Sequence, residues 1–480
     1  MSKRKDKAKS KRKGEPSARY EAAYPSRKRD AKRTSGRGEV SMFERLSLRE
    51  QARWMEENSD LANSILDTLV NFSVGPTGVG IEYQPIDRRT GRIDHDLAEQ
   101  MAALRKDWNR KPEVTGQHTW AQAERLAVRS MFRDGEIFAH HLVGTIPSLD
   151  HLTKVPYSLE FIECDFIPPS VGPDDSYGIQ TNAWGRPTYY RAHKIDRYGG
   201  ISHELKSPIP ASEIIHMRNV KRFHRYRGVS VFGHVLSTMQ DIKEANDAEL
   251  IARKVAASMA AYKYTEGGEE DPEEEYSKAE RFEAGMIYNL KPGTKIGVID
   301  TRRSSNELTA FVSDRERSLA AGLSVSHSTM TRKYEGSFSS RRQELVESFI
   351  QYGALAQNVI GQLSDPVNRR FIDASIASRQ LIVPSYIDLD TIYNCTYTLV
   401  QMPWIDPLKE ATAYEIQERN SWASGQSIIR GMGKNPADVF AQEQDWREML
   451  KNMPPHPSLT KQEAQEAGES AHFDMDNEED

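Results

Sequence analysis

Apolar residues recur every three or four positions between Val229 and Tyr262: Leu236, Met239, Ile242, Ala245, Ala248, Ala252, Val255, Met259 and Tyr262. That period is one face of an α-helix. Neither Pro nor Gly interrupts the run between Gly233 and Gly267. At 1.5 Å per residue the predicted helix is about 50 Å long. Its stripe narrows to alanine in the second half, and its other face carries Asp241, Lys243, Glu244, Asp247, Glu249, Arg253 and Lys254. A helix this polar on one side suits a wall, packed sideways on copies of itself and wet on its other face. An ordinary amphipathic helix of a helical domain has the same pattern.

The same periodicity predicts helices over 41–72, 96–110, 119–133, 305–323, 343–363, 371–382 and 406–452. Ser59 and Ser305 are candidate N-caps. Between 134 and 220 the period changes. RDGEIFAHHLVG, YSLEFIECDFIPP, GRPTYYRAHKI and SEIIHMRNV are short runs bounded by Gly, Pro, Asn and Asp, which predicts a small antiparallel β-domain. MIYNL and KIGVI read as strands flanking the turn Lys291-Pro292-Gly293, and residues 386–404 hold further strand-like segments.

At 480 residues the chain is long enough for two to four domains. Its mean hydropathy is −0.68, and it has no run of about 18 apolar residues to span a membrane. The N-terminus is too basic for a secretory signal. Two cysteines, Cys164 and Cys395, make no disulfide framework and no Cys-based zinc site. A reducing compartment is expected. The formal charge of −5 is unevenly spread: 15 of the 65 Lys/Arg fall in residues 1–40, and the rest is net acidic. Residues 1–40 lack apolar periodicity and read as a disordered basic arm. Residues 456–480 read as a disordered acidic tail.

Catalytic and metal motifs are missing. Adjacent strand residues point to opposite faces, so His140 and His141 cannot chelate one ion together. Asp94-His95-Asp96 is explained by helix capping. GPTGVG (75–80) lacks the Gly-Lys-Ser/Thr of a phosphate loop, and no nucleophile elbow occurs. The stretch SHSTMTRKYEGSFSSRRQ is more informative. It sets Arg332, Lys333, Arg341 and Arg342 among Ser, Thr and Gly, a composition suited to salt-dependent contact with a phosphate backbone. A solvated surface loop has the same composition.

Several short runs, in order and spacing over about 40–450, resemble the lambda-family bacteriophage portal protein. They are Phe132-Arg133-Asp134-Gly135-Glu136-Ile137-Phe138, Glu163-Cys164-Asp165, Trp184-Gly185-Arg186-Pro187, Ile209 to His216 and Tyr226-Arg227-Gly228-Val229-Ser230. Further runs are Ala248-Glu249-Leu250, Leu290 to Gly293, Ala321 to Ser326, Phe338-Ser339-Ser340-Arg341 and Trp404 to Glu410. Where the family has Asn-Tyr-Ser-Ser-x-Arg, this chain has Gly336-Ser337-Phe338-Ser339-Ser340-Arg341-Arg342. The aromatic is changed and the basic pair shifted.

The resemblance implies an α+β portal-protein fold with wing, stem, clip and crown regions, assembled as a dodecameric ring that passes double-stranded DNA. Residues 41–228 would be wing, 229–262 and 305–323 the two stem helices, and 263–304 the clip. Residues 324–342 would be a tunnel loop, 343–405 wing support and 406–455 crown-like helices. Asp241, Glu244 and Asp247 would line the channel and repel phosphates, while Arg332, Lys333, Arg341 and Arg342 touch DNA. The acidic clip residues Glu269, Glu270, Asp271, Glu273, Glu274 and Glu275 would dock partners. These partners would be the terminase large subunit, major capsid and scaffold proteins, and the head–tail connector or adaptor protein. No cofactor, metal, membrane or enzymatic activity is implied. The location would be the virion, with host cytoplasm during assembly. Two alternatives are a non-ring cytoplasmic nucleic-acid-binding protein using the basic arm and loop, and an enzyme with an unrecognised site in 134–220.

Overall fold

The computed structural model describes residues 41–168, 175–257, 261–265, 294–298, 305–334, 336–402 and 407–451. The basic arm, the MIYNL segment, the acidic run 269–275 and the acidic tail lie outside them.

The helical layer begins with α1 (Met42–Asn58) and α2 (Asp60–Ser73). A reciprocal cap starts α1: the Glu44 N–H donates to Ser41 Oγ and the Ser41 N–H to the Glu44 carboxylate. Ser59 ends α1 and caps α2 with its hydroxyl, so the apolar stretch 41–72 is two helices hinged at one residue. Ile65, Leu66 and Leu69 of α2 are fully buried. They lie against α4 (Trp120–Asp134) and α8 (Phe338–Val359). Between them in sequence lies α3 (His95–Trp108), capped by Asp94, whose carboxylate accepts the Leu97 N–H at 2.8 Å. Capping is therefore the observed role of the Asp94 carboxylate. Trp108 sits at the centre of the core, stacked on Tyr157 with ring centroids 5.2 Å apart.

The β-rich region holds a three-stranded antiparallel sheet of β4 (Glu136–Val143), β5 (Tyr157–Ile162) and β12 (Ile214–Arg218), with β4 central. Beside it lies a sheet in the order β11 (Ile209–Pro210), β8 (Pro187–Tyr190), β7 (Ile179–Thr181), β6 (Asp175–Ser176). A hairpin of β9 (His193–Ile195) and β10 (Ile201–Leu205) projects from this region. The strand alternation of β4 serves two cores. Phe138 faces a small apolar cluster with Ile162, Ile179, Tyr190 and Ile209, while Ile137 and Ala139 join the main core with the helices. On β4 His140 meets Glu160 and His141 meets the Tyr157 hydroxyl, so the two imidazoles have separate partners. Three smaller pairings complete the strands. They are β1 (Gly80–Tyr83) with β15 (Cys395–Thr398), β2 (Ile86–Asp87) with β3 (Arg92–Ile93), and β13 (Ala261–Thr265) with β14 (Thr294–Val298).

The helix expected over 229–262 is shorter than its periodicity implied. A 3-10 turn at Val231–His234 precedes α5 (Leu236–Ala257). Residues 261–265, which extend the apolar period through Tyr262, are strand β13, with Tyr262 opposite Gly297. Tyr262 and its neighbours pair with β14, so the backbone ladder overrides the helical period. The return helix is α6 (Ser305–Leu323), in which Ser305 is already helical rather than a cap. Helices α5 and α6 pack on each other.

After α6 comes a short helix, α7 (His327–Thr331), then α8, which begins five residues before the expected start at 343. A π-helical turn at Ile360–Ser364 leads into α9 (Asp365–Ala377). The chain ends its described part in α10 (Pro407–Arg419), α11 (Gly425–Gly431) and α12 (Pro436–Lys451). No residue of α10 or α11 is buried, and Leu408, Trp422, Phe440 and Trp446 are exposed.

Candidate functional site

The helical pair is anchored at one end. Leu236, Met239 and Ile242 of α5 and Leu319, Ala320 and Leu323 of α6 are buried, whereas Leu250, Ile251 and Phe311 farther out are exposed. The root rests on a buried polar knot built from the two runs Phe132–Phe138 and Tyr226–Ser230. Gly135 ends α4 in the left-handed conformation, φ +96°, which favours glycine. A methyl group on Gly135 would lie 2.4 Å from the Val229 carbonyl carbon, and one on Gly228 would lie 2.0 Å from the Gly135 carbonyl oxygen. Both glycines are required because the two backbones touch.

Glu136, the next residue, is buried. Its carboxylate receives Arg227 Nε at 2.7 Å, His216 Nε2 at 3.0 Å and the Gly228 N–H at 2.9 Å. Burial alone would raise its pKa, but the Arg227 charge and the His216 hydrogen bond reverse that and hold it far below the carboxylate range. Burial pushes the His216 imidazole down, which suits a neutral ring donating from Nε2. On the far side Asp134 receives Arg53 and Arg133, each through two nitrogens at 2.8–2.9 Å. Burial opposes its charge, and the two guanidinium groups outweigh burial and lower its pKa. Arg53 reaches on to Asp165 at 2.5 Å.

The three predicted channel-wall acids, Asp241, Glu244 and Asp247, are all exposed on α5. Glu244 accepts from Gln240 Nε2 at 2.9 Å. Asp247 lines a cleft of about 490 Å³ between the α1–α2 junction, α5, α6 and the end of α7, and Arg332 and Lys333 line the same cleft. Two predicted DNA-contacting residues and one predicted wall acid thus share one site. Lys333 also stands 3.5 Å from Glu316 of α6. Arg332 is exposed, with φ +58°.

Arg341 and Arg342 are not in that site. Both belong to the first five residues of α8, not to a loop, because Ser337 caps the helix and its hydroxyl accepts the Ser340 N–H. Arg341 donates to the Gly336 carbonyl at 2.8 and 3.2 Å, and Arg342 pairs with Glu410 of α10 at 3.5 Å. The acids Glu269 to Glu275 lie outside the described residues.

Sequence reasoning missed Glu344 on α8. Its carboxylate accepts the Ser326 hydroxyl at 2.9 Å, the Ser328 hydroxyl at 2.7 Å and the Ser328 N–H at 3.0 Å. It fixes the start of α7 and so the approach to Arg332. The available signal was two Ser residues spaced for capping before an acid one helix away, which no local pattern distinguishes from a solvated loop. Among the described residues no cluster of three His, Cys, Asp or Glu could hold a metal, and no helix is long and apolar enough to cross a membrane.

Comparison with known proteins bears on this arrangement. The sequence model of the family described as phage portal protein, lambda family, matches residues 25–355. A protein of Halomonas phage phiHAP-1, named as a probable portal protein, is 23 % identical over 455 residues, covering 90 % of this chain and 86 % of that one. Among solved structures, a chain from the neck of an empty gene transfer agent (GTA) particle has a TM-score of 0.47 and 13 % identity, covering 82 % of this chain and 94 % of its own. One from the virion of a native GTA particle has a TM-score of 0.44 and 11 % identity, covering 82 % of this chain and 100 % of its own. The family match spans more than half of the chain, including the Gly135–Gly228 knot, both helices of the pair and the Arg332–Lys333 segment, and on it the chain belongs to the lambda family of phage portal proteins, which form the DNA channel at one vertex of the capsid.

Proposed function

We propose that this chain is one subunit of a ring, dodecameric as in its family, in which α5 and α6 are the stem. The observation that carries the reading is the helical pair itself, buried at its root and bare along its outer turns. Exposed Leu250, Ile251 and Phe311 then pack on the stems of neighbouring copies, where burying apolar area is favourable. The uncovered α10–α12 helices are the crown-like part, and their exposed Leu408, Trp422, Phe440 and Trp446 meet other copies in the same way.

Double-stranded DNA passes through the centre. Exposed Asp241 and Glu244 repel its phosphates and keep the duplex from binding the wall. Arg332 and Lys333 make weak, salt-screened contacts with it. Arg341 and Arg342 act in the second rank: one holds the Gly336 carbonyl ahead of α8 and the other fastens α8 to α10. The β13–β14 pair begins the clip, and the acidic run 269–275 recruits basic surfaces of the terminase large subunit and later of the head–tail connector. Capsid and scaffold proteins hold the rim. The role is structural, without catalysis.

Negative-stain electron microscopy with a solution mass tests the reading. Rings with a central hole at least about 20 Å wide, enough for a duplex, support it. A chain that stays monomeric at high concentration, also with scaffold protein, and binds DNA through residues 1–40 overturns it.

A further inference from the structure

The loop that leads from β12 into the stem reads Lys221-Arg222-Phe223-His224-Arg225-Tyr226-Arg227, and no Asp or Glu occurs between Glu213 and Asp241. Lys221, Phe223 and His224 are exposed, Phe223 completely so. The turn Trp184-Gly185-Arg186 rests on this loop: a methyl group on Gly185 would lie 2.9 Å from the Tyr226 hydroxyl oxygen. Trp184 is 92 % exposed. Arg186 is exposed and makes no ion pair among the described residues; it borders a groove of about 560 Å³ that continues over Pro187, Tyr189 and Pro210.

Two large aromatic side chains held fully in water beside cations mark a contact surface, since both residue types are favoured at binding centres. The partner must offer negative charge and apolar side chains together. The phosphate backbone of a duplex offers the first without the second. Residues 461–480 of this chain offer both: eight acids against one lysine, with Phe473 and Met475 set among Asp474, Asp476 and Glu478 to Asp480. We propose that the surface formed by Trp184, Arg186, Lys221, Phe223 and His224 binds the acidic segment 461–480. Phe473 and Met475 lie on the aromatic groups, and the acids face Lys221 and Arg186. About twenty residues separate α12 from Phe473, a reach of up to about 70 Å when extended, so the segment can come from the same or a neighbouring copy. Occupied, the surface would tie the C-terminal helices to the root of the stem.

Photo-cross-linking of the full-length protein, with benzoylphenylalanine at position 473, tests this. The expected cross-links fall in 184–189 or 221–225. Their yield drops by about tenfold in Arg186→Glu/Lys221→Glu, the effect of losing two or three exposed ion pairs, and recovers when Asp474 and Asp476 are changed to Lys. An unchanged melting temperature shows that the exposed substitutions leave the fold intact. Mixed-isotope cross-links from a mixture of labelled and unlabelled protein assign the segment to a neighbouring copy, and single-isotope cross-links to the same copy. Either result supports the proposal. Cross-links elsewhere, none at all, or yields indifferent to the charge reversal overturn it, as does protection of 221–225 by duplex DNA with no cross-link from position 473.

Discussion

The Glu136 carboxylate and the Arg227 guanidinium meet at 2.6 Å, and each side chain is 2 % exposed. They join the first strand after α4 to the last residues before the stem. A buried charge that loses its partner is costly. Glu136→Gln should therefore lower unfolding stability by about 3 kcal/mol, and Glu136→Gln/Arg227→Met should recover part of the loss. Denaturant melts of the wild type, Glu136→Gln, Arg227→Met and the double variant check both statements.

The glycine contact beside this pair should be less forgiving. Gly228→Ala sets a methyl group 2.0 Å from the Gly135 carbonyl oxygen, a backbone atom that cannot rotate away. The expected outcome is an insoluble or unfolded protein. Gly144→Ala is the control: its methyl group meets nothing within 4 Å, and its φ of +78° costs only about 1–2 kcal/mol. Soluble yield and circular dichroism separate the two.

Stability should fall toward both acid and neutral pH, for opposite reasons. The folded pKa values of Glu136 and Asp134 are depressed. Their contribution is complete above the unfolded value of about 4 and is lost as pH drops below it. Glu124 behaves the other way. Burial pushes its carboxyl up to about 7, against hydrogen bonds from the Val79 N–H and the Ser364 hydroxyl. The folded state then favours the protonated form, and stability is lost as pH rises from about 5 through 7. Glu124→Gln should flatten the melting temperature between pH 5 and 8 and leave the acid limb unchanged.

Arg332 and Lys333 should separate from Arg342 in their effects. Arg332→Ala/Lys333→Ala changes exposed side chains and should leave the melting temperature within about 2 °C, as surface changes do, while impairing DNA packaging or retention. Arg342→Ala breaks a partly exposed ion pair with Glu410, worth about 0.5 kcal/mol, and should loosen α10 in hydrogen exchange with little effect on packaging. Packaging that is normal in the double variant would remove Arg332 and Lys333 from the channel.

Glu344→Ala should free the start of α7 from three hydrogen bonds. We expect about 2 kcal/mol of lost stability, from removing the acceptor of the Ser326 and Ser328 hydroxyls and of the Ser328 N–H. Faster amide exchange over 326–333 checks that the effect is local.

Periodicity made most helices legible, and residue type marked the Ser59 and Asp94 caps. It failed at Tyr262, where apolar spacing continues past the helix but the backbone pairs with 294–298. A helical stripe and a two-residue alternation coincide over so few positions. It failed again at Arg341 and Arg342, because Ser337-Phe338-Ser339-Ser340 reads as loop by composition while Ser337 is an N-cap. The Glu136–Arg227 pair was present in the runs that carry the family likeness, but pairing across 91 residues leaves no local trace. The same holds for Glu344 and its serines. Of the candidate site, the cleft uniting Asp247 with Lys333 depends on how α5 and α7 meet, and a single sequence does not encode that in any neighbourhood pattern.

A rod clamped at its base and exposed farther out, as at Leu250, Ile251 and Phe311, is a cantilever. In α5 and α6 the clamp is about two turns deep, and beneath it lies the close backbone contact between Gly135 and Gly228. On the proposed stem assignment, a sideways load far out on the pair would act on that contact with the length of the helices as its lever arm. A lone subunit resists it with the apolar root of the two helices and the buried knot beneath it. In a closed ring each rod leans on the next, and the load becomes compression around a hoop.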